Sequence, residues 1–190
     1  MESFNTFLKQ FPGYSPQVFE RVLPFLSRVE IQQGDYFLRE GKVCKHIAFV
    51  ESGLLRLYYL NDGKEITKCF CKENTIISSY SSFVTQQESE FAIQAIEDSR
   101  LIVLSNESLQ GLYKEDIFWQ QLSRLVGEKE YIITECHQRF LRDLSATDRY
   151  LKILAEESDL LQRVPLNYLA TYIQVAPETL SRIRKKIGRT

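Results

Sequence analysis

The chain reads as an α+β protein: an N-terminal antiparallel β-roll with flanking helices, then one long helix, then a C-terminal helix-turn-helix. Three observations predict this. Short β-branched and aromatic runs recur between turn residues through the first hundred positions, the pattern of a small barrel or roll. No proline falls between Pro24 and Pro165, which suits uninterrupted strands and a long helix. Near Ser105 the apolar spacing changes from period two to helical and stays helical.

Taken in order, Asn5 to Gln10 and Gln17 to Phe25 carry apolar residues at helical spacing, broken by Phe11-Pro12-Gly13. Strand periodicity begins at Val29-Glu30-Ile31-Gln32 and turns at Gly34-Asp35. It resumes at Tyr36 to Leu38, then at His46 to Glu51 and Leu54 to Leu60, with Ser52-Gly53 between the last two. Asn61-Asp62-Gly63 is a hairpin signal, because Asp-Gly supplies the positive φ angles of a type I′ turn. Glu65 to Phe70 is the returning strand, and Phe91 to Ile96 and Leu101 to Leu104 complete the roll.

Ser105 can cap a short helix through Lys114. Asp116 to Leu144 then carries apolar residues from Phe118 to Leu144 at helical spacing, a rod of about 40 Å at 1.5 Å per residue. Such a rod can lie across the roll and offer a second face to another copy of itself, or serve as an ordinary core helix. Ser145-Ala146-Thr147-Asp148 has the spacing of a capping box and opens a helix from Ala146 to about Glu157. Short helices follow near Leu166 to Ile173 and Pro177 to Ile187. The expected division is 1–115, roll with N-terminal helices; 116–144, long helix; 145–190, helix-turn-helix.

Composition narrows the class. The 190 residues are 44% hydrophobic and 26% charged with a net charge of -1, which excludes a disordered or collagen-like chain. No apolar run reaches membrane-span length and the first residues do not resemble an export signal, so the expected location is the cytoplasm, with no membrane partner. Four irregularly spaced cysteines read as thiols. The total charge conceals an asymmetry: residues 145–190 hold eight basic against five acidic side chains, and the last twelve hold five basic and no acidic ones. That end of the chain suits a polyanion.

The segment from Val164 supplies the geometry. Pro165 and Pro177 each sit where a first helical residue would fall. Leu166, Leu169, Ala170 and Ile173 make one apolar stripe, and Leu180, Ile183 and Ile187 face back, so two helices can cross around the small Ala170. Outside that seam lie Glu178, Thr179, Ser181, Arg182, Lys185, Lys186 and Arg189. Hydrogen-bonding groups at one end and cations at the other suit base edges and phosphates respectively.

Ala176 to Lys186 (Ala-Pro-Glu-Thr-Leu-Ser-Arg-Ile-Arg-Lys-Lys) resembles the recognition helix of the Crp/Fnr (catabolite activator) family of transcription regulators, whose shared core is Glu-Thr-x-x-Arg. The front half is similar to that family's cyclic-nucleotide-binding-type jelly roll, with Gly34, Gly41, Gly53 and Gly63 at its strand turns. The resemblance covers nearly the whole chain. It implies a homodimer on a pseudo-palindromic double-stranded DNA operator, one recognition helix per half-site. By position, Glu178 and Arg182 match the base-reading pair and Thr179 a phosphate contact.

Departures from the pattern carry information too. Pro177 stands where the family has Arg or Ser, which removes one base contact. Gln174 stands where the turn often has Gly, asking a non-glycine residue for an uncommon backbone conformation. Family members that bind cyclic AMP carry a Gly-Glu pair and, about ten residues on, Arg-Ser or Arg-Thr. Here Ser78 replaces the Glu, and Ser89 and Glu90 fall where Arg and Ser are expected, so a phosphodiester would meet Glu88 and Glu90 with no arginine to neutralise it. Ser78, Ser79, Tyr80, Ser89 and Glu90 therefore form a candidate effector pocket for an unidentified small molecule, or a filled, vestigial site. Arg56 and Lys68 could reach a carboxylate ligand or simply face solvent.

Cys69-x-Cys71 with distant Cys44 and Cys136 matches neither an iron–sulfur nor a zinc pattern, and His46 and His137 read as surface or packed imidazoles. No catalytic or phosphate-loop motif occurs, so neither enzyme chemistry, a cofactor nor a metal is expected. The alternative from another class is a small-ligand-binding roll whose C-terminal helices mediate protein interaction.

Overall fold

A computed structural model of the chain describes residues 1–188. Helices α1 (Glu2–Leu8) and α2 (Pro16–Val22) lead, separated by the turn in which Gly13 has φ +82°, and a 3-10 turn at Leu23–Phe25 delivers the chain to the roll. Eight strands follow: β1 (Ser27–Ile31), β2 (Tyr36–Leu38), β3 (His46–Ser52), β4 (Leu55–Asn61), β5 (Lys64–Cys71), β6 (Ile76–Ile77), β7 (Ala92–Ala95) and β8 (Ser99–Ser105). They form two antiparallel four-stranded sheets, ordered β1-β8-β3-β6 and β2-β7-β4-β5. Asp62 (φ +50°) and Gly63 (φ +74°) close the β4–β5 hairpin with Asn61 opposite Lys64, the two positive φ angles of a type I′ turn.

Helix α3 (Tyr80–Thr85) interrupts the strands. Its sequence, Tyr-Ser-Ser-Phe-Val-Thr, is poor in helix formers, and tertiary contacts hold it. Buried Ser82 accepts from the Cys44 amide at 2.9 Å and donates to the Gln87 carbonyl, and Gln86 ends the helix in the left-handed region at φ +55°. Neither α3 nor the two-residue β6 is predicted from periodicity, since both are shorter than a readable pattern.

The remaining helices are α4 (Asn106–Glu115), α5 (Ile117–Asp143), α6 (Ala146–Glu156), α7 (Ser158–Arg163), α8 (Leu166–Tyr172) and α9 (Pro177–Ile187). Side chains cap three of them: Ser105 accepts from the Ser108 amide, Asp116 from the Phe118 amide and Ser145 from the Asp148 amide. At the last cap the reciprocal half differs from the expected box, because the Asp148 carboxylate accepts from the Ser145 hydroxyl at 2.6 Å. Helix α7 is an addition to what periodicity predicts. Pro177 is the first residue of α9 as expected, whereas Pro165 is the cap outside α8, with extended ψ of 139°.

Two apolar clusters hold the molecule together. One joins α1, both sheets and the start of α5 through Phe118, Trp119 and Leu122. The other unites Tyr150, Ile153, Leu160, Val164, Leu169, Ala170, Ile173 and Leu180 of the C-terminal helices with Leu54 and Ile96 of the roll. The C-terminal helices thus share their core with the roll rather than hanging from it.

Candidate nucleic-acid interface and effector region

Helices α8 and α9 cross where Ala170 and Ile173 are fully buried against Leu180. The turn between them closes on Gln174, in the left-handed region at φ +53°, while the Val175 amide donates to the Ala170 carbonyl at 2.9 Å. This is the conformation that the departure from Gly implies for that position. Arg149 of α6 braces the same turn by donating to the carbonyls of Ile173 and Leu144.

On α9, Leu180, Ile183 and Ile187 face the cluster. Glu178, Arg182, Lys185 and Lys186, spaced i, i+4, i+7 and i+8, are exposed on the opposite side, with Ser181 half-buried at its edge. Thr179 is half-buried and accepts from the Arg182 guanidinium at 3.2 Å. Glu178 in the first turn and Arg184, Lys185 and Lys186 in the last also complement the helix dipole. Arg189 lies outside the described residues.

The remaining C-terminal cations are used elsewhere. Arg163 is clamped between two roll carboxylates, at 2.9 Å from Glu73 and 2.7 Å from Glu97. Hydrogen bonding from Arg163 holds the Glu73 carboxyl down at about 2 against its burial. Lys152 pairs within α6 with Glu156, and Arg149 serves the turn. The positive face is therefore narrower than the charge count implied, and it belongs to α9.

The same helices dock on the roll. Thr171 and Thr67 hydroxyls meet at 3.0 Å, and Tyr172 packs against Phe70 at 5.2 Å between centroids. Arg56 is 1% exposed, stacked over Tyr58 at 4.1 Å and Tyr168 of α8 at 3.5 Å, and it donates to Glu65 and Gln94. Of the two readings left open for Arg56, the solvent-facing one is overturned. The guanidinium is a pin between roll and α8. Lys68 lies over the Phe91 ring at 4.8 Å.

The candidate effector residues do not converge on one cavity. Ser79 and Ser89 are buried and share a hydrogen bond of 2.7 Å, with Ser89 also bonded to the Phe91 backbone. Their polar groups satisfy each other. Glu90 is exposed, as is Glu88. Ser78 and Tyr80 instead line a cavity of about 150 Å³ between β5, β6 and α5, together with Cys69, Cys71 and Glu130. Hydrogen bonding between the two thiols lowers the Cys69 pKa and raises that of Cys71, and burial raises that of Glu130. Among the described residues no three His, Cys, Asp or Glu side chains are grouped to hold a metal ion, and no helix is long and apolar enough to cross a membrane.

Residues 28–116 match the cyclic nucleotide-binding domain family, a span from β1 through α4. Comparison with curated protein sequences gives no match. Among solved structures the chain is similar to FixK2 from Bradyrhizobium japonicum, with 17% identity and a TM-score of 0.77 over 86% of this chain and 85% of that one. It is similar to CLP from Xanthomonas campestris, a c-di-GMP responsive global regulator, with 21% identity and a TM-score of 0.72 over 92% of each chain. It is also similar to the catabolite activator protein of Thermus thermophilus, with 21% identity and a TM-score of 0.57 over 94% of this chain and 86% of that one. The fold is the one the resemblance implied: a cyclic-nucleotide-binding-type roll, a long helix and C-terminal helices, arranged as in Crp/Fnr regulators.

Proposed function

We propose that the chain is a sequence-specific DNA-binding transcription regulator of the Crp/Fnr type, working as a homodimer on a pseudo-palindromic operator with α9 in the major groove. The observation that carries this reading is the position of Glu178, Arg182, Lys185 and Lys186, exposed on the side of α9 opposite its buried seam. Arg182 supplies a fork of donors suited to a guanine edge, Glu178 an acceptor suited to a cytosine amine, and Lys185 and Lys186 point charges for phosphates. Thr179, Ser181 and Arg189 complete the set.

The test is a gel-shift titration at two salt concentrations. Arg182→Ala lowers operator affinity by about 1–3 kcal/mol and relaxes preference at one base pair. Lys185→Ala weakens every sequence alike and lowers the salt slope by about 0.9, the share of one phosphate that is no longer neutralised. Equal losses on operator and random DNA for both variants would refute these roles. No sequence-selective retention at all by the parent protein would favour the alternative, a ligand-binding roll whose C-terminal helices engage a protein.

We also propose that the roll does not respond to cyclic nucleotides. The hydroxyls of Ser79 and Ser89 satisfy each other where a phosphate would need an arginine, and Glu88 and Glu90 add like charge. Calorimetric titration with cyclic AMP, cyclic GMP and c-di-GMP, the last because CLP responds to it, is expected to give heats indistinguishable from dilution.

A further inference from the structure

We infer that a cavity between the roll and the first half of α5 is a binding site for a neutral, ring-sized apolar molecule carrying a hydrogen-bond acceptor. It is separate from the buried Ser79–Ser89 hydroxyl pair, neither of which lines it, although Tyr80, Phe83 and Val84 of α3 do. Phe49 of β3, Leu104 of β8, Leu109 of α4 and Trp119, Leu122 and Val126 of α5 are among its apolar lining, and its volume is about 230 Å³.

Three features define the occupant. The first is size. Protein interiors are close-packed, with few voids larger than a water molecule, so a space of 230 Å³ in a wall of Leu, Ile and Phe is costly to keep empty. An apolar cavity of about 150 Å³ already admits benzene, so this one has room for two fused rings. The second is charge. Among the described residues no Lys, Arg, His, Asp or Glu lines the cavity, so an ionic ligand would lose its hydration and gain no counter-ion. The third is the polar inventory. Of the other polar lining residues, Gln110 and Tyr80 are exposed, Asn106 gives its amide to the Phe83 carbonyl at 2.8 Å and the Tyr113 hydroxyl goes to Ser123 at 2.7 Å. Trp119 is 1% exposed, and its indole N–H has no acceptor among the described residues. A buried indole ordinarily finds a partner. The nitrogen presents almost no surface to the cavity in this structure, so a ligand carbonyl or ether oxygen would supply the partner once the indole turned toward it. Tyr80 and Val84 of α3, 44% and 58% exposed, provide the route of entry.

Location gives the site consequence. Its wall joins the roll to the helix that runs on to α6 and the C-terminal helices, so an occupant would be in contact with α5 directly.

The experiment is calorimetry on the full chain with three probes of one size: 2-acetonaphthone, naphthalene and the anionic 2-naphthoate. We expect 2-acetonaphthone to bind once per chain in the range of about 10 μM and 2-naphthoate at least about tenfold more weakly. Trp119 is the only tryptophan of the chain, so its fluorescence reports occupancy of this cavity. Two filling variants on different elements, Ala48→Leu and Leu109→Phe, are expected to lose binding by about tenfold or more while keeping a cooperative melt. Trp119→Phe should weaken 2-acetonaphthone by about three- to tenfold and leave naphthalene unchanged. Equal affinity for 2-naphthoate, binding that survives both filling variants in folded protein, or no saturation by any probe overturns the site. Equal loss of both neutral probes in Trp119→Phe overturns the acceptor requirement.

Discussion

Gln174 carries a backbone cost to turn the chain between α8 and α9. A non-glycine residue at φ +53° is penalised by roughly 1–2 kcal/mol, offset in part by the extra freedom a glycine would have when unfolded. Gln174→Gly is therefore expected to raise stability by about 0.5 kcal/mol, read as a small upward shift of the denaturation midpoint with unchanged slope. Gly53 shows the opposite case. At φ +99° a Cβ would stand 2.7 Å from the Asp98 carbonyl oxygen, so only glycine lets the β3–β4 turn pass under the turn before β8. Gly53 was legible as a local turn signal beside Ser52, and Gln174 only through the resemblance, as a departure from the Gly common at that turn. Arg56 was not. Alternation along β4 says only that its side chain leaves one face of the strand, and Tyr168, which covers it, arrives more than a hundred residues later.

Helix α5 has more apolar surface than the rest of the chain covers. Tyr131, Ile132 and Ile133 are 67%, 60% and 46% exposed in its second half, beyond the part buried by Phe118, Trp119 and Leu122. A second α5 laid alongside would cover them, in keeping with the homodimer proposed above. Replacing Ile132 and Ile133 together by Asp is expected to convert a dimer to a monomer in sedimentation velocity while the thermal melt stays cooperative. Periodicity and the lack of proline gave the length of this helix to within a residue at each end, whereas the cap at Asp116, which accepts from the Phe118 amide, was not read from the sequence. Helix α7 and strand β6 were missed because six and two residues span less than two full periods of any pattern.

Across the molecule, roll and C-terminal helices are joined by charge as well as by shared core. Glu73 has its pKa lowered from 4.5 to about 2 by Arg163. A carboxyl with a depressed folded pKa adds stability that is complete above the unfolded value and disappears as pH falls toward the folded one. The join is thus expected to be at full strength above about pH 4.5 and to weaken between there and pH 2. Hydrogen exchange of the α8 amides against pH checks this: protection falls in that window in the parent chain, and Glu73→Gln removes most of the dependence. The charges sit partly in solvent, so added salt should lessen the effect.

Local chemistry is what one dimension can carry. Strand and helix periods, the Asp-Gly hairpin, the caps at Ser105 and Ser145 and the crossing of α8 and α9 around Ala170 all depend on residues within a few positions of one another, and each is readable from their order. The use of each charge is a different matter. Eight C-terminal cations look alike in the sequence, yet Arg163 spans to Glu73 and Glu97, Arg149 binds backbone carbonyls, and among the described residues it is α9 that keeps a set facing outward. The fate of the five effector candidates likewise waited on folding. Whether two serines ten residues apart line a pocket or satisfy each other depends on how α3 is pressed against the strands, and that is set by packing between segments the order of residues does not connect.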